Sequence, residues 1–232
     1  MQKHGYKDLA KIYDLVNQKK DYFKEVEFLK ILFNKYNIKT ILDVGCGTGT
    51  HMKLLESSGF VCDGIDLNQE MLDVAKNKAK GNLTCADMTN FNLGKKYDAI
   101  ICMFASFNHL INLDSAKRAI SCFRNNLNKG GIILIDLHNP SKSGKKQDNF
   151  NGVTRTMEWE FNPITKIEES KVIFNINGDN IEDSHIMRIY SINEMLDLLK
   201  NEGFSNSRVY ENYTLNSATP NSKNLDVFAI LK

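Results

Sequence analysis

Residues 41–50 read Ile41-Leu42-Asp43-Val44-Gly45-Cys46-Gly47-Thr48-Gly49-Thr50. An apolar strand runs here into a glycine-rich turn that opens a helix. Glycine tolerates positive φ and lets backbone approach a ligand closely. The first N–H groups of the following helix then point at that ligand. Asp66 closes the next apolar strand, 17 positions after Gly49, where a βαβ unit sets a carboxylate against a ribose diol. The stretch predicts a parallel α/β sheet with a nucleotide-type ligand at its edge.

The alternation continues outward. Helices are expected at 7–17, where Leu9, Ile12, Tyr13 and Val16 share a face, and at 21–36, with Asp21 as N-cap. Strands are expected at 40–44, 60–65, 82–85, 97–104 and 131–137, with helices at 48–58, 68–80 and 114–127 between them. Strands apolar on both faces and joined by helices indicate a parallel sheet covered on each side. The pattern then changes to strands at 153–161, 166–177 and 180–190, with Gly178-Asp179 as a hairpin signal. A helix at 191–201, capped by Ser191 and Glu194, and strands at 207–214 and 225–231 complete the chain. The fold class is thus α/β: a Rossmann-like, doubly wound, mostly parallel seven-stranded sheet with an antiparallel strand insertion after the fifth strand. One domain spans 1–232. It comprises a helical arm at 1–38, a core at 39–140 and 191–232, and an insertion at 150–190 over the substrate site. That insertion is expected either to cover the site or to pair across a homodimer.

Composition narrows the function classes. The chain has 232 residues, 42% of them apolar and 25% charged, with a net charge of +2. That balance gives no electrostatic reason to expect nucleic acid or a membrane surface. No window approaches the roughly 18–20 apolar residues of a membrane helix. The five scattered cysteines form no CxxC pair, and no His/Cys/Asp cluster has metal-ligand spacing. A reduced, cytoplasmic, metal-free enzyme is expected. The basic residues Lys142, Lys145 and Lys146 are expected in a solvated loop.

The glycine spacing distinguishes two nucleotide ligands. A dinucleotide fingerprint is G-x-G-x-x-G, whereas here it is G-x-G-x-G, and the position of the third glycine in that fingerprint holds Thr50. Asp43, just before the first glycine, would add an anion beside a pyrophosphate. It suits instead a ligand bearing an ammonium and a sulfonium, which is S-adenosylmethionine.

Four segments, ILDVGCGTG, GIDLNQEML, ADMTNF and YDAIICMF, together resemble the class I S-adenosylmethionine-dependent methyltransferases. The resemblance implies that Gly45, Cys46, Gly47 and Gly49 cradle the methionine part and that Asp43 orders the loop and the amino end. It implies that Asp66 accepts from the ribose hydroxyls, that Leu67 and Met71 flank the adenine, and that Asp87 and Met88 meet the adenine edge. Met103 and Phe104 line the methyl-donor end, and the Tyr13 and Tyr22 hydroxyls reach the cofactor's carboxylate or amine. Cys46 is read as a packed residue rather than a nucleophile.

The segment Tyr13-Asp14-Leu15-Val16-Asn17-Gln18, with CGTGTHM and the late SHIMRIYS, resembles the sugar-nucleotide N,N-dimethyltransferases and other small-amine N-methyltransferases. This implies a small-molecule amine acceptor and S-adenosylhomocysteine as product. It implies His109 and Tyr6 near the reacting amine as catalytic residues, and His109, with an intrinsic pKa of about 6.5, is expected to serve as the base for the amine proton. His185 and Arg188, on the last insertion strand, are read together as contacts to an anionic part of the substrate. His51 is expected to be partly exposed. After the fifth strand the chain carries Leu137-His138-Asn139-Pro140, a departure from the aromatic-rich pattern of that subfamily. The alternatives are a nucleic-acid methyltransferase, a glycine-type amine or O-methyltransferase, a nicotinamide-dependent dehydrogenase and a non-catalytic scaffold.

Overall fold

The computed structural model describes residues 6–140 and 142–232. Seven strands form the main sheet: β1 (Thr40–Val44), β2 (Val61–Asp66), β3 (Leu83–Cys85), β4 (Tyr97–Cys102), β5 (Leu127–His138), β10 (Phe204–Glu211) and β11 (Asn224–Leu231). Their order is β10-β11-β5-β4-β1-β2-β3. β1 to β5 run parallel, β11 runs antiparallel between β5 and β10, and the strand order reverses at β1. Ligands of open α/β sheets bind at the carboxyl ends of the strands beside such a reversal.

Period-two alternation decides which helices cover which face. Leu42, Val44, Ile100, Cys102, Ile133 and Ile135 pack with α5 (Leu113–Asn125) and α6 (Ile192–Asn201). Ile41, Ala99, Ile101, Ile132 and Leu134 pack with α2 (Tyr22–Lys35) and α3 (Thr50–Ser57). α4 (Gln69–Ala75) is shorter than the 68–80 expected. The helix starts are fixed as the sequence predicts: the Asp21 carboxylate accepts from Lys24 N at 3.0 Å, and Ser191 with Glu194 forms a capping box. None of the described helices is long and apolar enough to cross a membrane.

The insertion is a four-stranded antiparallel sheet: β6 (Gly144–Phe150), β7 (Val153–Asn162), β8 (Ile167–Ile176) and β9 (Asp179–Arg188). It begins earlier than the sequence predicts, because β6 carries Lys145 and Lys146, which were expected in a loop. Gly-Lys-Lys-Gln-Asp-Asn has weak strand propensity, and pairing with β7 overrides it. Two hairpins turn on Asn151-Gly152 and Asn177-Gly178, with all four φ values positive. Asn-Gly favours the type I′ turn, whose twist matches that of the strands. The second turn therefore lies one residue before the Gly178-Asp179 pair expected.

This sheet is divided. Phe150, Val153, Val172 and Phe174 pack with α1 (Tyr6–Val16) and Met71. The other end of β9 reaches the 3-10 turn Ser106–His109, where the Asn108 amide holds it.

β5 and β11 pair so that Asp136 faces Asp226, both at 3% exposure or less. Two buried carboxylates opposite one another disfavour double ionisation. Burial, then Asp136, pushes the Asp226 carboxyl up to about 8. The unfolded value is about 3.9. Between those values the folded chain holds a proton that the unfolded chain has released, so stability falls as pH rises through that window. Asp226→Asn keeps an acceptor for Tyr213 N and removes the titration. It is expected to flatten the fall in Tm between pH 5 and 8 and to raise Tm at pH 8 by about 3–8 °C, from ~2 kcal/mol. Scanning calorimetry at both pH values tests this; an unchanged slope in the variant excludes the pair as its source.

Candidate functional site

The glycine turn is built by its neighbours. Gly45 N and Cys46 N both donate to Ile65 O, at 2.8 and 3.0 Å, so β2 holds the loop at two points. Gly45, Gly47 and Gly49 have φ of 73°, 54° and 76°, in the left-handed region that only glycine enters freely. A Cβ on Gly45 would lie 2.7 Å from Ser106 Oγ. Asp66 fastens the loop from the other side, with Oδ2 accepting from Gly47 N and Oδ1 from Asn68 N, both at 2.8 Å. Burial raises the Asp66 carboxyl, and those two N–H groups oppose it.

Behind the loop Asp43 is 1% exposed, and neither carboxylate oxygen has a hydrogen-bond partner. Burial pushes it up to about 6, with His51 opposing and Asp66 adding to the shift. A buried carboxylate without donors is costly, and a cation arriving beside it would supply the missing partner. Cys46 is 7% exposed, and burial raises its thiol well above the ordinary range, which makes it a packed residue rather than a nucleophile.

A small cleft opens over this turn. Its walls include Gly45, Gly47 and Thr48 on one side and Met103, Phe104 and Ser106 on the other, with Tyr13 and Tyr22 from the helical arm. Phe104 and Ala105 have φ of 56° and 59°. Two consecutive left-handed non-glycine residues cost about 1–2 kcal/mol each. Asp136 Oδ2 holds the first by accepting from Phe104 N at 2.9 Å, and it also accepts from the Tyr213 hydroxyl at 2.8 Å.

Beneath Tyr22 lies a charge cluster that sequence reasoning missed. Glu25, 2% exposed, pairs with Lys20 and with His51 Nε2, the latter at 2.7 Å. Burial works to raise the Glu25 carboxyl, but His51 and Lys20 outweigh it and hold it below the usual range. The Lys20 ammonium also sits 4.4 Å from the centre of the Phe104 ring. His51 is 6% exposed, against the partial exposure expected, because α2 packs over α3 and places Glu25 on the ring. The signal for Glu25 was an acid on the face that carries Phe28, Leu29 and Leu32. For Asp136 it was an acid inside Ile132-Ile-Leu-Ile-Asp-Leu137.

The remaining predicted residues divide. Leu67 is 72% exposed and Met71 is 5% exposed. Asp87 is exposed, and its Oδ1 accepts from the Thr89 amide and hydroxyl at 2.7 and 2.8 Å. The Met88 side chain reaches toward Gly45. Tyr6 opens α1, and its side chain lies outside the described residues. The His109 and His185 rings meet edge to face at 5.5 Å, and His185 Nε2 stands 3.1 Å from Asp183 Oδ2. Desolvation by the surrounding protein, then His185, lowers the His109 pKa to about 4, although the residue keeps an exposed surface. The ring is therefore neutral at physiological pH. Arg188 does not join His185. Alternation sets positions 185 and 188 on opposite faces of β9, and the Arg188 guanidinium pairs with Glu194 Oε1 at 2.8 Å.

Known proteins share this architecture. A methyltransferase-domain family model matches residues 41–131. A dTDP-3-amino-3,6-dideoxy-alpha-D-glucopyranose N,N-dimethyltransferase of Streptomyces fradiae is 33% identical over 134 residues, covering 56% of this chain and 52% of the relative. The chain thus matches about half the length of that relative. An uncharacterised protein of Methanocaldococcus jannaschii is 30% identical over 208 residues, covering 87% of this chain and 75% of its own length. The crystal structure of an S-adenosylmethionine-dependent methyltransferase from Clostridium acetobutylicum has the same fold. Its TM-score is 0.85 at 24% identity, over 97% of this chain and 98% of that one.

Gly45→Ala combines a disallowed φ with the Ser106 contact. It should lower stability by about 1–3 kcal/mol, read as a fall of several degrees in Tm. Gly45→Ala with Ser106→Gly should recover part of that loss. A double variant no more stable than the single one would show that the strain is backbone alone.

Proposed function

We propose that this chain, which belongs to the class I S-adenosylmethionine-dependent methyltransferases, moves a methyl group from S-adenosylmethionine to a small-molecule amine. The observation that carries the reading is Asp43: a buried carboxylate with both oxygens unpartnered, set behind a left-handed glycine turn at the reversal of strand order. The residues fit the cofactor. Gly45 and Gly47 leave backbone open to it, Asp43 offers negative charge to its cationic end, and Asp66 offers lone pairs to its ribose. When bound, S-adenosylmethionine supplies a methyl group on a positively charged sulfur, open to in-line attack.

The chain's own part is positioning, which accounts for a large share of the barrier in such displacements. Met103 and Phe104 wall the donor end and exclude water, and Tyr13 closes over Phe104 with ring centroids 6.4 Å apart. His109 lies on the same turn and presents a neutral imidazole, so it accepts a hydrogen bond from the acceptor's N–H and orients the nitrogen. The amine must arrive at the reacting atom with its lone pair free. The relative from Streptomyces fradiae, named for methylating a sugar amine, supports an amino sugar as the acceptor class.

Calorimetric titration with S-adenosylhomocysteine is expected to show 1:1 binding, weakened about 10- to 100-fold in Asp43→Asn, since a charge-assisted contact contributes roughly 1.5–3 kcal/mol. Binding of a dinucleotide in its place would overturn the reading. Labelled methyl donor, offered with amino sugars, glycine-like amines and transfer RNA, should mark an amine; signal on RNA alone would refute the acceptor class. His109→Ala should lower turnover on the accepted amine at least about tenfold while leaving S-adenosylhomocysteine affinity within about threefold. With neutral His109 as the orienting group, turnover should show no acid limb from this residue above about pH 5.

A further inference from the structure

The wall at the donor end of the cleft carries backbone strain. Phe104 and Ala105 are consecutive left-handed residues without being glycine, and such conformations persist only where the surroundings hold them. The hold on Phe104 N is the Asp136 carboxylate, and it rests on one oxygen. Oδ2 accepts from Phe104 N at 2.9 Å and from the Tyr213 hydroxyl at 2.8 Å, while Oδ1 has no hydrogen-bond partner. Asp136 is 3% exposed and faces Asp226 across β5 and β11. A buried acid opposite another acid is costly to leave short of donors. The orientation of Asp136 toward Phe104 therefore depends on the second donor.

Tyr213 is itself held from several sides. It stands in the loop between β10 and β11, where Asn212 and Tyr213 form a second left-handed pair with φ of 50° and 57°. Tyr213 N donates to Asp226 Oδ2 at 2.6 Å, and Asn224 Nδ2 donates to Tyr213 Oη at 3.0 Å. The ring meets Phe28 edge to face, with centroids 6.5 Å apart. Burial, then Asp136, raises the phenol above its ordinary range, so the hydroxyl keeps its proton and donates. The Lys20 ammonium lies 5.6 Å from the centre of the Tyr213 ring and 4.4 Å from that of Phe104, a second contact between the two residues.

Building on the proposed methyl transfer, we propose that Tyr213 is a positioning residue for the methyl-donor end of the cleft. Through Asp136 it keeps Phe104 in its left-handed conformation and so keeps the Phe104 ring in the cleft wall. Without the hydroxyl, Asp136 retains a single donor beside a second buried acid and no longer fixes the turn. The wall then relaxes toward ordinary backbone. The glycine turn and Asp66, fastened to each other and to β2, are untouched.

The test compares the full chain with Tyr213→Phe, which loses only the hydroxyl and keeps the ring against Phe28. Hydrogen exchange followed by NMR is expected to quicken at least about tenfold at the Phe104 amide and by less than about threefold at Ile133 and Ile135 in β5. Calorimetry should show S-adenosylmethionine bound about tenfold more weakly than by the parent. S-adenosylhomocysteine, which lacks the methyl group, should stay within about threefold. A residue that merely supports the fold would weaken both ligands alike and loosen β5 as well. Unchanged exchange at Phe104, faster exchange throughout β5, equal loss of both ligands, or undiminished binding of S-adenosylmethionine would each overturn the role of Tyr213. A parent chain that binds neither ligand would defeat the methyltransferase reading instead, and exchange at Phe104 would still decide whether Tyr213 holds the turn.

Discussion

The side-chain amide of Asn108 ties three segments that are distant in sequence. It donates to His138 O and Arg188 O and accepts from His138 N at 3.0 Å, and the residue is fully buried. Removing it would leave buried backbone groups without partners, at about 1–3 kcal/mol each. More depends on it than stability. Met103, Phe104 and Ser106 wall the cleft, and His109, on the same turn, meets His185 of the insertion with ring centroids 5.5 Å apart. The amide fixes that short stretch against both sheets at once. Because the end of β9 is fastened there and the opposite half is packed on α1, the insertion is held at two separated places.

Acidic side chains gather below the cleft. Asp43, Glu25, Asp136 and Asp226 are all at most 3% exposed, while Lys20 is the ammonium among them. The chain as a whole carries +2, so this is a matter of placement rather than composition. In a weakly polarisable interior such groups interact more strongly than in water. Glu25 is compensated by Lys20 and His51, whereas Asp43 is left without a donor. That asymmetry leaves one buried carboxylate uncompensated beneath the glycine turn.

Much of this was legible in the sequence, and the remainder fails for identifiable reasons. The strand-turn-helix at Ile41–Thr50 and the apolar strands gave the parallel order, because period-two and period-3.6 patterns report faces directly. β6 was not legible, since its residues favour strand only once β7 supplies the pairing. The separation of His185 from Arg188 could have been read from their odd spacing of three. The burial of His51 could not, because it depends on how α2 crosses α3 rather than on its own helix. Glu25, Asp136 and Asp226 were visible as acids in apolar surroundings, but nothing local says which of them meet.

β6 has a consequence for the chain as a solute. It is the edge of the insertion sheet, and such an edge presents unpaired backbone to any other strand it meets. Lys145 and Lys146 lie on that edge at more than half exposure, each balanced by an acid, Glu158 and Asp148. Lysines on an edge resist strand-to-strand association, since burying them against a second sheet strips water from their charges. The run that reads as an unremarkable basic patch thus lies where charge disfavours pairing of the edge with a second strand.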